Sequence, residues 1–361
     1  MNVLHIDEQP GWRGGEQQAS YLIRELGERG HGAVVAGRKG SPFLEGEHGG
    51  GVLARVACGF RGEADPFTAL WLARAVRLYD IDILHAHTSH AHAHAVAARH
   101  LARRGKVVVS RRVINPPRNN LLNRWKYAAP DRFVAVSHAV ARVLREYGVP
   151  EARIRVAPSA VDPRRLDVAP IPKEALGAPA GAPLVGCVAA LDENKDQLTL
   201  LEALPAVLRE VPDLHVVLAG EGPLRPRLEA RIKSLGLEGR VLLLGQRNDV
   251  PAILRSLDAF VLTSRGEGIA TSIQDAMWAG VPVVAAETGG VPELVIHEET
   301  GLLVPVGAWE AVAQALIRLL TDAELKARLT AAAERHIRQN YTLEGMAAGN
   351  LKAYEEVLAG E

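Results

Sequence analysis

The chain has only two cysteines in 361 residues, Cys58 and Cys187. They lie far apart and fit no metal-binding or redox spacing, which argues against a disulfide framework and a zinc module. Long apolar runs are missing too: none approaches the ~18–20 residues that a membrane-spanning helix needs. The opening MNVLHIDEQPG lacks a basic stretch followed by an apolar block, so no secretion signal is expected. The default expectation is a cytosolic chain. Net charge is absent as well, with 42 Lys+Arg against 42 Asp+Glu. That balance hides an asymmetry, because residues 1–165 hold 25 basic and 15 acidic residues while residues 166–361 hold 17 and 27. A basic half and an acidic half suggest different partners for each. The basic half suits an anionic lipid surface, here the inner face of the cytoplasmic membrane, or an acidic acceptor. Domain–domain attraction is the plainer alternative.

What is present is a regular alternation. Apolar runs (Val3–Ile6, Ala33–Ala36, Ile83–His85, Val107–Val109, Phe133–Val136, then Leu184–Ala189, His215–Leu218, Val241–Leu244, Ala259–Leu262, Val281–Ala285) alternate with amphipathic stretches. This predicts an α/β chain with two doubly wound, Rossmann-like parallel sheets facing a cleft. Six prolines between 158 and 183 mark the break. The expected domains are 1–165 plus 341–361, with the amphipathic stretch Leu343–Leu358 returning to the first domain, and 166–340.

The densest chemical signal is SRGEGIATSIQDAMWAGVPVVAAETGGVPELV, which starts where the predicted strand Ala259–Leu262 ends. Gly266, Gly268 and Ala270 let backbone amides approach a ligand. The amides of the helix starting near Thr271 then form an anion site. Glu267 precedes that site and Asp275 follows it by about one turn. A diphosphate on the amides, with sugar hydroxyls on the carboxylates, is chemically coherent.

These residues resemble the signature of the retaining family 4 glycosyltransferases of the GT-B fold. Further matches are Pro282-Val283-Val284-Ala285, Gly289-Gly290-Val291-Pro292-Glu293-Leu294 and Thr300-Gly301-Leu302-Leu303-Val304-Pro305. The likeness spans the chain and looks strongest to bacterial lipopolysaccharide and capsule transferases. It implies that Glu267 touches donor sugar hydroxyls and that the amides of Gly268, Ile269, Ala270 and Thr271 surround sugar and phosphates. Asp275, where the family usually has Glu, would take the ribose. Lys195 in VAALDENKDQ matches a lysine that binds the diphosphate, whereas the family's companion arginine is Ala190 here. Either Lys195 and the amides suffice, or Arg265 or Arg247 substitutes. The loops at Glu221 and Arg247 would hold the base.

In the first half, Gly14 and Gly15 follow the first predicted strand, and the family places this loop against donor and acceptor. His85-Ala86-His87 resembles a family His-x-His pair, which puts His87 beside the transferring sugar. His92 and His94 read as helix-surface residues. His90 and His94 have metal spacing but no acidic or cysteine partner nearby, so no metal site is expected. Asp80-Ile81-Asp82 precedes its strand and reads as turn chemistry, so a metal-independent reaction without cofactor is expected, the nucleotide sugar being a co-substrate. Arg111 and Arg112 open a basic stretch reaching Arg132, with Arg118, Arg124, Trp125 and Lys126, that suits an acceptor or an anionic membrane. No nucleic-acid motif accompanies it. The expected activity is hexosyl transfer to a glycan or lipid-linked envelope acceptor. The alternatives are a nucleotide-sugar 2-epimerase of the same fold and a non-catalytic sugar-nucleotide-binding protein.

Overall fold

A computed structural model describes residues 1–360. The chain divides into two compact units, Met1–Ala160 together with the segment from Leu343 onward, and Val161–Thr342. The first unit begins β1 (Asn2–Ile6), α1 (Gly14–Glu28), β2 (Gly32–Arg38), α2 (Pro42–Glu45), β3 (Val52–Cys58), α3 (Pro66–Leu78) and β4 (Ile83–Ala86). It continues with α4 (Ser89–Ala102), β5 (Lys106–Arg111), α5 (Leu121–Ala128), β6 (Arg132–Ala135), α6 (His138–Glu146) and β7 (Ile154–Val156). Its seven strands are all parallel, in the order β3-β2-β1-β4-β5-β6-β7. Strands covered on both faces must be apolar throughout, and β1, β4 and β6 are almost wholly buried. Only the edge strand β3 alternates, exposing Leu53 and Arg55 in part or whole.

The second unit runs α7 (Pro163–Leu166), β8 (Leu184–Val188), α8 (Gln197–Glu210), β9 (His215–Ala219), α9 (Arg225–Ser234), β10 (Val241–Gly245) and α10 (Val250–Leu254). Then come β11 (Ala259–Leu262), α11 (Thr271–Trp278), β12 (Val283–Ala286), α12 (Val291–Leu294), β13 (Leu302–Val304), α13 (Trp309–Thr321) and α14 (Ala323–Asn340). Its strand order is β10-β9-β8-β11-β12-β13, again parallel. In each sheet the winding reverses once, between β1 and β4 and between β8 and β11. Loops leaving the carboxyl ends of those four strands are where such sheets bind ligands.

The helix α15 (Leu343–Ala359) packs on the first sheet. Met346, Ala347, Ala353, Tyr354 and Val357 join Val3, Leu22, Leu26, Ile83, Val108 and Val134 in one buried cluster. Glu356 adds ion pairs, to Arg132 at 2.6 Å and to Arg155. Residues 161–165 belong to the second unit rather than the first. Val161 bridges to Thr342 and Arg165 pairs with Asp275, so these contacts outweigh the proline break. Asp80 sits in a left-handed turn with φ of 49°. Asp82 accepts a hydrogen bond from the Asn2 amide at 2.8 Å, so this Asp-x-Asp is structural. Among the described residues no helix is long and apolar enough to cross a membrane.

Candidate functional site

In the second unit the loops after β8 and β9 lie flush against each other. At Gly220 φ is +151°, and an added Cβ would stand 1.9 Å from the Ala189 carbonyl oxygen. At Gly222 the same addition would meet the Leu191 oxygen at 2.3 Å. Only glycine permits that approach. The seam closes with Leu191 N–H donating to Glu221 O at 3.1 Å and Leu224 N–H to Leu191 O at 2.9 Å. A second seam joins the loops after β8 and β11. Arg265 N–H donates to Asn194 O at 2.7 Å, and the Asn194 side chain donates to Gly266 O at 2.8 Å. Gly290 N–H then donates to Glu267 O at 2.9 Å, tying in the loop after β12.

These seams bring Lys195 and Glu267, 72 residues apart, to a 2.5 Å contact between Nζ and Oε1. The Glu267 side chain is 9% exposed and that of Lys195 24%. A carboxylate buried to this degree needs its cation, and the ammonium keeps solvent-facing capacity for a second anion. Beside them α11 begins at Thr271 with Ala270 as its cap, a residue whose side chain offers no acceptor to the first amides. The positive end of the helix is therefore left for an external anion. Ser264, buried at the end of β11, has a hydroxyl without a hydrogen-bond partner. Cys187 lies near this pair, and burial pushes its thiol up to about 12, which rules it out as a nucleophile at neutral pH.

The remaining residues singled out in this unit are held differently. Asp275 is buried, and burial raises its pKa against the opposing pull of Arg165, which bonds its carboxylate. Arg165 was not visible as a partner in the sequence, 110 residues away. Arg265 lies 2.9 Å from Asp196 with most of its side chain exposed. Arg247 is locked to Asp249 by two hydrogen bonds of 2.8 and 2.6 Å. Glu221 pairs with Arg225. The Ala190 position holds no cation, and its carbonyl accepts from Gln197 at 2.8 Å.

In the first unit Gly14 and Gly15 form the opening turn of α1, fixed by Glu16 accepting the Arg13 amide at 2.7 Å. Near this turn is Asp7, which sequence reasoning missed. It is fully buried, and burial followed by the Glu16 charge pushes its carboxyl up to about 8. One carboxylate oxygen accepts the Gln9 amide at 2.9 Å and the other has no partner. Arg112 is its neighbouring cation, with Nε unpartnered and its pKa lowered by burial. An acidic residue directly after an apolar strand was the available signal.

His87 lies 3.0 Å from His5, Nε2 to Nδ1. Its ring also packs on His85, with centroids 4.2 Å apart. Burial lowers all three pKa values, that of His5 to about 3, so the rings are neutral at pH 7. His5, His85 and His87 are also the one three-ligand group among the described residues. Both nitrogens of His85 are engaged, by Tyr354 at 2.6 Å and Ser110 at 2.8 Å, so it has none to offer an ion.

Two expectations are corrected. His92 and His94 are not on the helix surface; each is 1% exposed. α4 is sandwiched between α3 and α5, and the two rings stack edge-on to Tyr127 and Phe133, and to Phe60. The basic stretch is likewise no open face. Arg111 is buried, bonded to Tyr127 Oη at 2.7 Å and to Asn115 O. Lys126 pairs with Glu63 at 2.9 Å and Arg132 with Glu356. Acids distant in sequence neutralise Lys126 and Arg132, leaving Arg118, Arg124 and Trp125 exposed.

The model of Glycosyltransferase Family 4 matches residues 12–165 and that of Glycosyl transferases group 1 matches residues 170–336. N-acetyl-alpha-D-glucosaminyl L-malate synthase of Bacillus anthracis is 27% identical over 299 residues, 80% of this chain and 78% of that protein. The lipopolysaccharide core biosynthesis mannosyltransferase LpsB of Rhizobium meliloti is 31% identical over 193 residues, 52% of this chain and 55% of its own. In fold, the chain matches Anabaena HepE, solved in complex with UDP-glucose, with a TM-score of 0.85 over 100% of both chains at 24% identity. With both sheets and the two matched models in agreement, the chain belongs to the family 4 glycosyltransferases of the GT-B fold, enzymes that take nucleoside diphosphate sugars as donors.

Proposed function

We propose that this enzyme transfers a hexose to a hydroxyl of a glycan or lipid-linked envelope acceptor, with retention of configuration and without a metal ion. The observation that carries the reading is the Lys195–Glu267 contact at the uncapped start of α11. A leaving diphosphate needs positive charge, and an ammonium plus helix amides supply it in preorganised form. Glu267 would hold sugar hydroxyls while the C1–O bond to the diphosphate breaks and the acceptor oxygen bonds to C1. The acceptor proton leaves on the diphosphate. Asp275 would take the ribose, its shorter side chain steadied by Arg165. Neutral His87 fits a hydrogen-bonding role and not that of a cation. LpsB, a lipopolysaccharide core enzyme, supports a glycan or glycolipid acceptor, and HepE with its UDP-glucose supports a uridine donor.

A donor panel read out by nucleoside diphosphate release, with EDTA and with added Mg²⁺, tests the reading. Release should be insensitive to EDTA. Lys195→Ala should lower kcat/KM on the order of 30–100-fold, the value of one charge-assisted bond to phosphate. Wild-type release in a variant lacking Glu267, or full loss with EDTA, would overturn it.

A further inference from the structure

The helices α3, α4 and α5 contain no aspartate or glutamate at all. They follow β3, β4 and β5, whose crossovers run in one direction along the sheet. Right-handed crossovers therefore place all three on the same face. They form a continuous layer, with α4 packed between α3 and α5.

That layer is apolar where it meets water. Of sixteen exposed large hydrophobic side chains among the described residues, eight lie on these three helices. On α3, Phe67 is 65% exposed, Trp71 56% and Leu78 65%, and with Leu70 and Arg74 they follow the helical repeat as one stripe. The buried residues of α3, such as Leu72, Ala73 and Val76, occupy the opposite side, so the stripe is surplus to the core. On α5, Leu121 is 84% exposed beside Leu122 and Trp125. The end of α4 bridges the two. Arg77 of α3 donates to the Leu101 carbonyl, and His100 stacks on Trp125 at 6.4 Å.

Charge decides what this face meets. Arg74, Arg103 and Arg118 are exposed and form no ion pair among the described residues. Arginine stems can lie along an apolar surface with the guanidinium at its edge. Aromatic and leucine side chains with arginines, on helices that carry no carboxylate of their own, match the boundary between phosphate head groups and acyl chains. A protein partner or a second copy of this chain would have to bring acids to each arginine. We infer that the α3–α4–α5 layer is a docking surface for an anionic phospholipid bilayer. It is distinct from the buried Arg111, Lys126 and Arg132, which are paired internally.

Vesicle co-sedimentation of the full chain tests this, with neutral phosphatidylcholine against the same lipid carrying phosphatidylglycerol. Three free arginines at an anionic surface should give on the order of a hundredfold tighter binding, reduced by salt. Phe67→Ala/Trp71→Ala and Arg74→Gln/Arg118→Gln should each weaken it by at least about tenfold. These side chains are exposed, so circular dichroism and nucleoside diphosphate release should stay at wild-type values. That readout separates failure of docking from failure of the donor site. Equal sedimentation of wild type and variants would overturn the inference, as would equal binding to neutral vesicles. Self-association by sedimentation velocity that the same variants abolish would assign the face to a second copy instead.

Discussion

Replacing Asp7 with asparagine should make the protein more stable as pH rises, and the size of the gain follows from the burial of this carboxyl. In the folded chain it titrates at about 8, against 3.8 in an exposed reference. Below about pH 4 both folded and unfolded chains hold the proton, and the site leaves stability unchanged. Between these values the unfolded chain releases the proton while the folded chain retains it. Stability then declines by about 1.4 kcal/mol per pH unit until pH passes the folded value, beyond which the slope ends. Asparagine keeps the acceptor used by the Gln9 amide and has no proton to release. The stability difference, Asp7→Asn minus wild type, should therefore grow by about 2–4 kcal/mol from about pH 4 to about pH 8, less than the full window because water and the Arg112 charge relax around the ion. Any cost of placing an amide in the site is the same at every pH and cancels from that difference. Urea unfolding followed by far-UV circular dichroism at several pH values measures it. A difference that stays constant across the range would refute the reasoning, as would a carboxyl carbon NMR titration centred near pH 4.

Two further substitutions test the frame. Gly222→Ala drives a methyl into the Leu191 carbonyl and should cost about 2–3 kcal/mol and weaken nucleoside diphosphate binding, read by thermal melting and isothermal titration. Tyr354→Phe removes the hydroxyl bonded to His85 in the core and should cost about 1–2 kcal/mol in the same melts, so an unchanged transition would show that this bond contributes nothing.

Much of the fold was legible because fully covered parallel strands are written as unbroken apolar runs, as in Val283–Ala286 or Ala259–Leu262. β3 escaped notice for the same reason. Its VLARVAC alternates exposed and covered positions, as an edge strand does, and offers no such run. β13, three residues long, gave too little pattern, and α14 carries an average polarity that blurs its buried stripe of Leu325, Leu329, Ala333 and Ile337. At the site, Glu267 and the glycines around it stood out because loop chemistry is local. Pairings across the fold did not. Arg165 with Asp275, Lys126 with Glu63 and His85 with Tyr354 join residues between 63 and 269 positions apart. The same distance explains the misreading of His92 and His94. Their helix is only weakly amphipathic in sequence, and its burial depends on neighbours on both sides.

The return of α15 to the first sheet has a consequence for how the molecule is made. The second unit is one continuous stretch, so it needs nothing beyond Thr342 to complete its core. The first unit cannot. Until Tyr354 reaches His85 and Glu356 reaches Arg132, the side of its sheet that holds Val108 and Val134 lacks its cover. The half synthesised first is therefore the half finished last. A released chain truncated before residue 343 should hold a completed second unit and a first unit open to chaperones and proteases.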